Sequence, residues 1–179
     1  MHTVDQALEA ITLNVAPGPV ETVPLCEALG RVLAEPIDSD IDSPPFDKAL
    51  MDGFAVRAED IADGTATLTV IDEVTAGQVA SQAIQPGQAI QIMTGAPIPD
   101  GADAVVQVED TSIENHEQQV RVAIDTRPVV PGRNMIHQGT SMRRGDTVMP
   151  AGRQLRPQEL GLLAELGRQS LVVHRQVTV

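Results

Sequence analysis

With 179 residues and 42% hydrophobic content, the chain can bury a core of its own and fits one or two small domains. Only 1% is aromatic, with no Trp or Tyr, so that core is to be built from Val, Ile, Leu, Ala and Met. A net charge of -13 excludes nucleic acid as a partner, the lone Cys26 excludes an internal disulfide, and the lack of a long apolar stretch excludes a bilayer span.

Thr3 followed three residues later by Gln6 has the pattern of a capping box, and Val4, Leu8 and Ile11 fall on one face behind it. An amphipathic helix is therefore predicted, ending before Pro17-Gly18-Pro19. No basic segment leads into an apolar run here, so no secretory signal is read, and a single thiol suits the cytoplasm. Residues 21–24 read as extended, 25–29 as a short helix stopped by Gly30, and 31–34 as a strand before Pro36.

Next comes SPPFDKALMDGFAVR, from Ser43 to Arg57. Pro44 and Pro45 fix an extended entry and deny the chain two backbone donors. Asp47 and Asp52 follow. Gly53 gives the backbone freedom to turn and lets a ligand approach the main chain, and Phe54, Ala55 and Val56 open a buried strand. By residue type alone two readings stand: a carboxylate presented at a cleft edge, or a plain Asp-Gly turn.

Beyond it, residues 58–62 allow one helical turn, and TATLTVIDEV (65–74) is β-branched enough for a strand. Residues 89–93 form another strand. Pro97, Pro99 and Asp100-Gly101 punctuate a loop before the apolar run 104–108. Residues 114–119 read as a polar turn and 120–124 as a returning strand. Short strands with regular Pro and Gly punctuation predict a β-rich domain, sandwich or barrel-like. Pro157 then opens a helix with Leu160, Leu163, Ala164 and Leu166 on its buried face and Gly167 after it, and residues 170–174 return as a strand. The chain stops at residues 176–179 as another strand begins, so further chain is expected there. The fold class is α+β, mostly β.

The stretch SPPFDKALMDGFAVR resembles the signature of the molybdopterin molybdenumtransferases, the family of MoeA and the C-terminal domain of gephyrin, whose pattern is close to PxFDxSAMDGYAV. IMTGAPIPDGADAVV, from Ile92 to Val106, is a second match at the expected distance, and PGRNMIHQG, from Pro131 to Gly139, is a third and weaker one. The resemblance implies an elongated linker domain built from both ends of the chain (1–43 and 143–179), a β-rich domain inserted within it (44–142), and a cofactor-binding domain following residue 179. It implies a first helix that packs with that following domain. As partners it implies a second copy of the chain in a homodimer and, as a further candidate, the molybdopterin adenylyltransferase.

The reaction so implied transfers molybdenum from molybdate onto the dithiolene of adenylylated molybdopterin, with hydrolysis of the adenylate and a requirement for Mg²⁺. The resemblance assigns Asp52 as catalytic residue and Mg²⁺ ligand, since carboxylate oxygens suit that hard cation. Thr94 joins it, because a hydroxyl beside a bare glycine can donate to an anion. Gly53, Gly95 and Ser141 are expected on the substrate side. Asp47 is read as capping its loop, Lys48 and His137 as surface residues, and Cys26 as a small core residue. Four departures from the family pattern stand out: Ala49 in place of Ser, Ile136 in place of Arg, Thr140 in place of Glu, and Ser141 in place of Asp. They raise a second reading, a binding or assembly module of the same fold without the chemistry. On either reading the isolated chain is expected to be inactive. A third reading, an unrelated acidic metal-dependent hydrolase, lacks a His or carboxylate cluster with ligand spacing.

Overall fold

The computed structural model describes residues 3–116 and 119–177. In chain order they form helix α1 (Val4–Asn14) and strands β1 (Val20–Pro24), β2 (Ile37–Asp38), β3 (Lys48–Ala49), β4 (Gly53–Val56), β5 (Thr65–Val74) and β6 (Gln88–Ile92). Strands β7 (Ala104–Gln107), β8 (Thr111–His116), β9 (Gln119–Asp125), β10 (Met135–Ile136) and β11 (Thr147–Met149), helix α2 (Pro157–Glu165) and strand β12 (Ser170–His174) follow. The elements gather into two compact units, one from the residues up to Ile41 and those from Arg144 on, the other from Asp42 to Arg143.

In the first unit the capping box holds. The Thr3 hydroxyl accepts from the Gln6 backbone N–H at 3.3 Å, and the Gln6 amide oxygen accepts from the Thr3 N–H at 3.0 Å. No residue of α1 is buried. Strand β1 pairs antiparallel with β12, from Val20 opposite His174 to Pro24 opposite Ser170, and β2 pairs with β11. Leu33, Leu155, Leu163, Leu171 and Val173 are buried here. Two expectations are corrected. Residues 25–29 hold only a 3-10 turn, Leu25–Glu27, because Pro24 before it and Gly30 at φ 76° after it leave too little chain for an α-helix. Residues 31–34 make single bridges, Val32 with Gln154 and Leu33 with Val173, not a strand. The strand opening read at 176–179 is absent at Gln176 and Val177, and residues 178–179 lie outside the described residues.

Helix α2 starts on Pro157, and Leu163 and Leu166 are buried, but Ala164 is exposed and Glu159 is buried in its stead. Glu159 sits inward because its Oε1 accepts from Arg153 and from Arg156, each at 2.6 Å, while its Oε2 accepts from the Arg156 backbone N–H at 3.0 Å. The two guanidinium groups, Arg156 first and then Arg153, hold its carboxyl at about 2 against an ordinary 4.5. A folded-state value below the unfolded one means that this stabilisation is complete above the ordinary value and is lost as pH falls towards the folded one. The melting temperature of the wild type should therefore fall between pH 4.5 and 2 more steeply than that of Glu159→Gln, which should already be lower at pH 7. Parallel melting curves across that window would remove the ion pairs from the account of this unit.

The second unit is built on a six-stranded sheet in the order β7-β4-β6-β5-β9-β8, antiparallel throughout except where β5 runs parallel to β6. Apolar clusters cover both faces. Phe54, Val56, Ala104, Val106 and Val122 lie in one, and Ala55, Ile90, Ile92 and Val105 in the other. Burial on both faces is why GFAV and AVV read as unbroken apolar runs instead of alternating ones. The mostly β expectation holds. One expectation is corrected: Glu114 begins no turn but continues β8 to His116. Thr111-Ser112-Ile113-Glu114 is mostly polar because β8 is an edge strand with three of these four residues exposed, so its pattern carries no strand signal. Among the described residues no helix is long and apolar enough to cross a membrane.

Candidate functional site

Three segments converge around β3 and β4 within the second unit. Pro44-Pro45 leads an irregular loop into β3, which pairs antiparallel with β10, setting Lys48 opposite Ile136 and Ala49 opposite Met135. On the other side Ala49 exchanges backbone bonds with the turn after β6: its N–H donates to Ala96 O at 3.0 Å, and its O accepts from Gly95 N at 2.9 Å. The stretches 43–57, 92–106 and 131–139 are therefore joined side by side through their backbones.

Asp52 stands at the end of this loop, immediately before β4, and is exposed. Its Oδ1 accepts from both the backbone N–H and the hydroxyl of Thr94, each at 2.7 Å. Its backbone O accepts from Val108 N at 3.0 Å, so main chain and side chain are both anchored. The two bonds from Thr94, the backbone one foremost, lower the carboxyl below its ordinary value and keep it ionised at neutral pH. Among the described residues nothing donates to Oδ2. The Thr94 hydroxyl is committed to Asp52, a use that residue type alone did not reveal. Gly95 follows at φ +84°, with no atom within 4 Å of where a Cβ would stand.

Gly53 takes a different role from the one read in the sequence. It is buried between β6 and β7, paired with Ile92 and Gln107. A Cβ there would stand 2.0 Å from Val106 O. The close approach to its bare backbone is made by the neighbouring strand.

Asp47 caps its loop as read, and does more. Its Oδ1 accepts from Gln138 N at 2.7 Å and its Oδ2 meets His137 Nδ1 at 2.9 Å, the backbone bond being the main cause of its lowered carboxyl value. It thereby holds the segment that leads to Ser141. Ser141 is exposed, and its N–H donates to Ser43 O at 2.9 Å, so it borders the start of the loop and is not bonded to Asp52 or Thr94. Asn134 was missed as a positioning residue. It adopts φ 55°, accepts from Leu50 N at 2.9 Å and donates from its side chain to Val105 O at 3.0 Å, tying β3 to β7. The signal was present in PGRN, since Asn tolerates the left-handed region better than other non-glycine residues. Cys26 is exposed, against the core placement read for it.

Among the described residues no three His, Cys, Asp or Glu side chains stand close enough to hold a metal ion. One exposed carboxylate with a free oxygen fits Mg²⁺ as a single protein ligand among substrate oxygens and waters, and does not fit a resident all-protein centre.

Residues 2–167 match the family model described as MoeA N-terminal region (domain I and II). The chain is 36% identical over 180 residues to a molybdopterin molybdenumtransferase of Bacillus subtilis, covering 98% of this chain and 42% of that protein. It is 39% identical over 163 residues to the enzyme of that name from Nostoc sp., covering 89% of this chain and 36% of that one. A crystal structure of the molybdopterin biosynthesis moeA protein from Pyrococcus horikoshii superposes with a TM-score of 0.76 at 42% identity, over 87% of this chain and 41% of that one. The chain thus spans well under half the length of the relatives it matches.

Proposed function

Because the chain belongs to the family of MoeA N-terminal regions, domains I and II, we propose that it supplies the N-terminal part of an enzyme inserting molybdenum from molybdate into adenylylated molybdopterin. The observation that carries this reading is the bond pair between Asp52 and Thr94. It joins the two signature segments across 42 residues and leaves one ionised carboxylate oxygen facing solvent. The relatives named molybdopterin molybdenumtransferase support the substrate class. Mg²⁺, when bound at that oxygen, would neutralise charge on molybdate or on the adenylate's phosphate. Asp52 would orient the ion, and Thr94 would keep the carboxylate ionised and fixed in direction. Gly95 leaves open space beside them. We place the enzyme in the cytoplasm.

Asp52 and Thr94 lie exposed on the 42–143 unit, which supports a homodimer in which a second copy completes the cleft. The molybdopterin adenylyltransferase is the partner that would deliver the substrate. The test is molybdate- and Mg²⁺-dependent conversion of adenylylated molybdopterin by a protein carrying this chain together with the remaining length of its relatives. Conversion is expected there and not with the 179 residues alone. Mixed dimers of Asp52→Asn with a variant disabled only in the remaining length should regain activity that neither parent has. A reading without chemistry draws on the neutral Ser141 and on Ile136, and absence of conversion by the longer protein would favour it.

A further inference from the structure

One recess in the second unit has neither Asp52 nor Thr94 in its lining. It is open to solvent, has a volume of ≈ 640 Å³ and is lined by Gln107, Asp110, Thr126, Arg127, Pro128 and Arg133. Arg133 is held in place by three acceptors: its Nη2 donates to Asp110 Oδ2 at 3.1 Å and to Thr126 Oγ1 at 3.0 Å, and its Nη1 to Arg127 O at 3.2 Å. A guanidinium has five N–H donors, so two remain, on a group already fixed in direction. The Arg127 guanidinium and the Gln107 amide have no partner among the described residues. Two guanidinium groups against one carboxylate give the lining a net positive charge in a chain of net charge -13. The adjoining recess, which shares Asp110, is lined by Glu109 and Asp125 and by no Lys or Arg. A single Arg tying a loop to an acid would need neither Arg127 nor the cavity.

We propose that this recess binds a tetrahedral oxyanion, a phosphate group or an oxyanion of the same shape and charge, clamped between Arg127 and Arg133 with the Gln107 amide as third donor. Gln107 pairs in register with Gly53, so the recess lies on the same β4–β7 pairing that carries Asp52 at its end. The inference goes beyond the proposed function and does not depend on it, because binding is read directly.

Calorimetric titration of the chain with inorganic phosphate, adenosine monophosphate and molybdate, at one fixed ionic strength, tests it and separates the sources. At least one should bind saturably, and Arg127→Gln should weaken that ligand by about tenfold with an unchanged melting temperature, since its side chain holds nothing else. Tightest binding of adenosine monophosphate identifies a nucleotide phosphate, and of molybdate a metal oxyanion. Asp110→Asn removes the one lining carboxylate and should tighten binding. Absence of saturable binding for all three, an unchanged affinity in Arg127→Gln, or weaker binding in Asp110→Asn would each overturn the assignment.

Discussion

Gly53→Ala should cost the 42–143 unit about 3 kcal/mol, a fall of roughly 12–24 °C in its melting temperature for a unit of this size. The added Cβ would stand 2.0 Å from Val106 O and within 2.9 Å of two further backbone carbons, Val106 C and Gln107 Cα. None of these belongs to a flexible side chain that could swing away. Relief requires β4 and β7 to separate, which breaks the ladder from Gly53–Gln107 to Val56–Ala104 and opens both apolar clusters. Gly95→Ala is the matched control. Its φ of +84° costs a methyl group about 1–2 kcal/mol of backbone strain, but the Cβ meets nothing. Thermal melts of the two variants should rank Gly53→Ala well below Gly95→Ala. Equal melting temperatures would mean that β7 gives way without cost and that packing does not explain the glycine at 53.

Asp52→Asn should leave the melting temperature nearly unchanged and lower the molybdenum insertion rate of the longer protein at least tenfold, about 1.4 kcal/mol of transition-state stabilisation. An amide oxygen can still accept from the Thr94 N–H and hydroxyl, so the loop stays anchored. What is lost is the charge on the outward oxygen. Because the Thr94 bonds lower the Asp52 carboxyl, the wild-type rate should show no titration of this group near neutrality, and its protonation should matter only below the ordinary carboxylate range. Varying Mg²⁺ gives the discriminating readout. A variant that needs more Mg²⁺ for half-maximal rate supports a ligand role. Unchanged rate and Mg²⁺ dependence would return Asp52 to a plain turn residue.

Both predictions rest on neighbouring residues in one sequence motif, and the sequence disclosed them unequally. The Asp52 motif and the Thr94 motif were legible as a pair, but not the bond between them, because a hydroxyl's partner 42 residues away is a property of the sheet order. Gly53 was misread for the same reason: an Asp-Gly pair is a turn signal locally, and only the approach of β7 makes it a strand residue. Long β5 was readable end to end from its β-branched content. The two-residue strands β2, β3 and β10 were not, because each is held by a single partner strand and carries no periodicity of its own. Glu159 was legible as an acid in a first helical turn, where it looks like dipole compensation, but its burial was not, because that depends on Arg153 across the preceding turn.

The pairing of β1 with β12 has a consequence for how the molecule is made. The ribosome releases β1 first and its partner about 150 residues later, which at 5–20 residues per second is roughly 8–30 s of synthesis. Every residue from Asp42 to Arg143 emerges inside that interval, so the unit carrying Asp52 has its complete sequence before β1 has anything to pair with. The nascent chain therefore carries an unsatisfied strand edge at β1 while the 42–143 unit behind it is already able to fold. For that interval β1 is a target for chaperones or for the same strand on a neighbouring polysome product, and the brevity of β1, together with Glu21 within it and Pro24 at its end, limits that hazard.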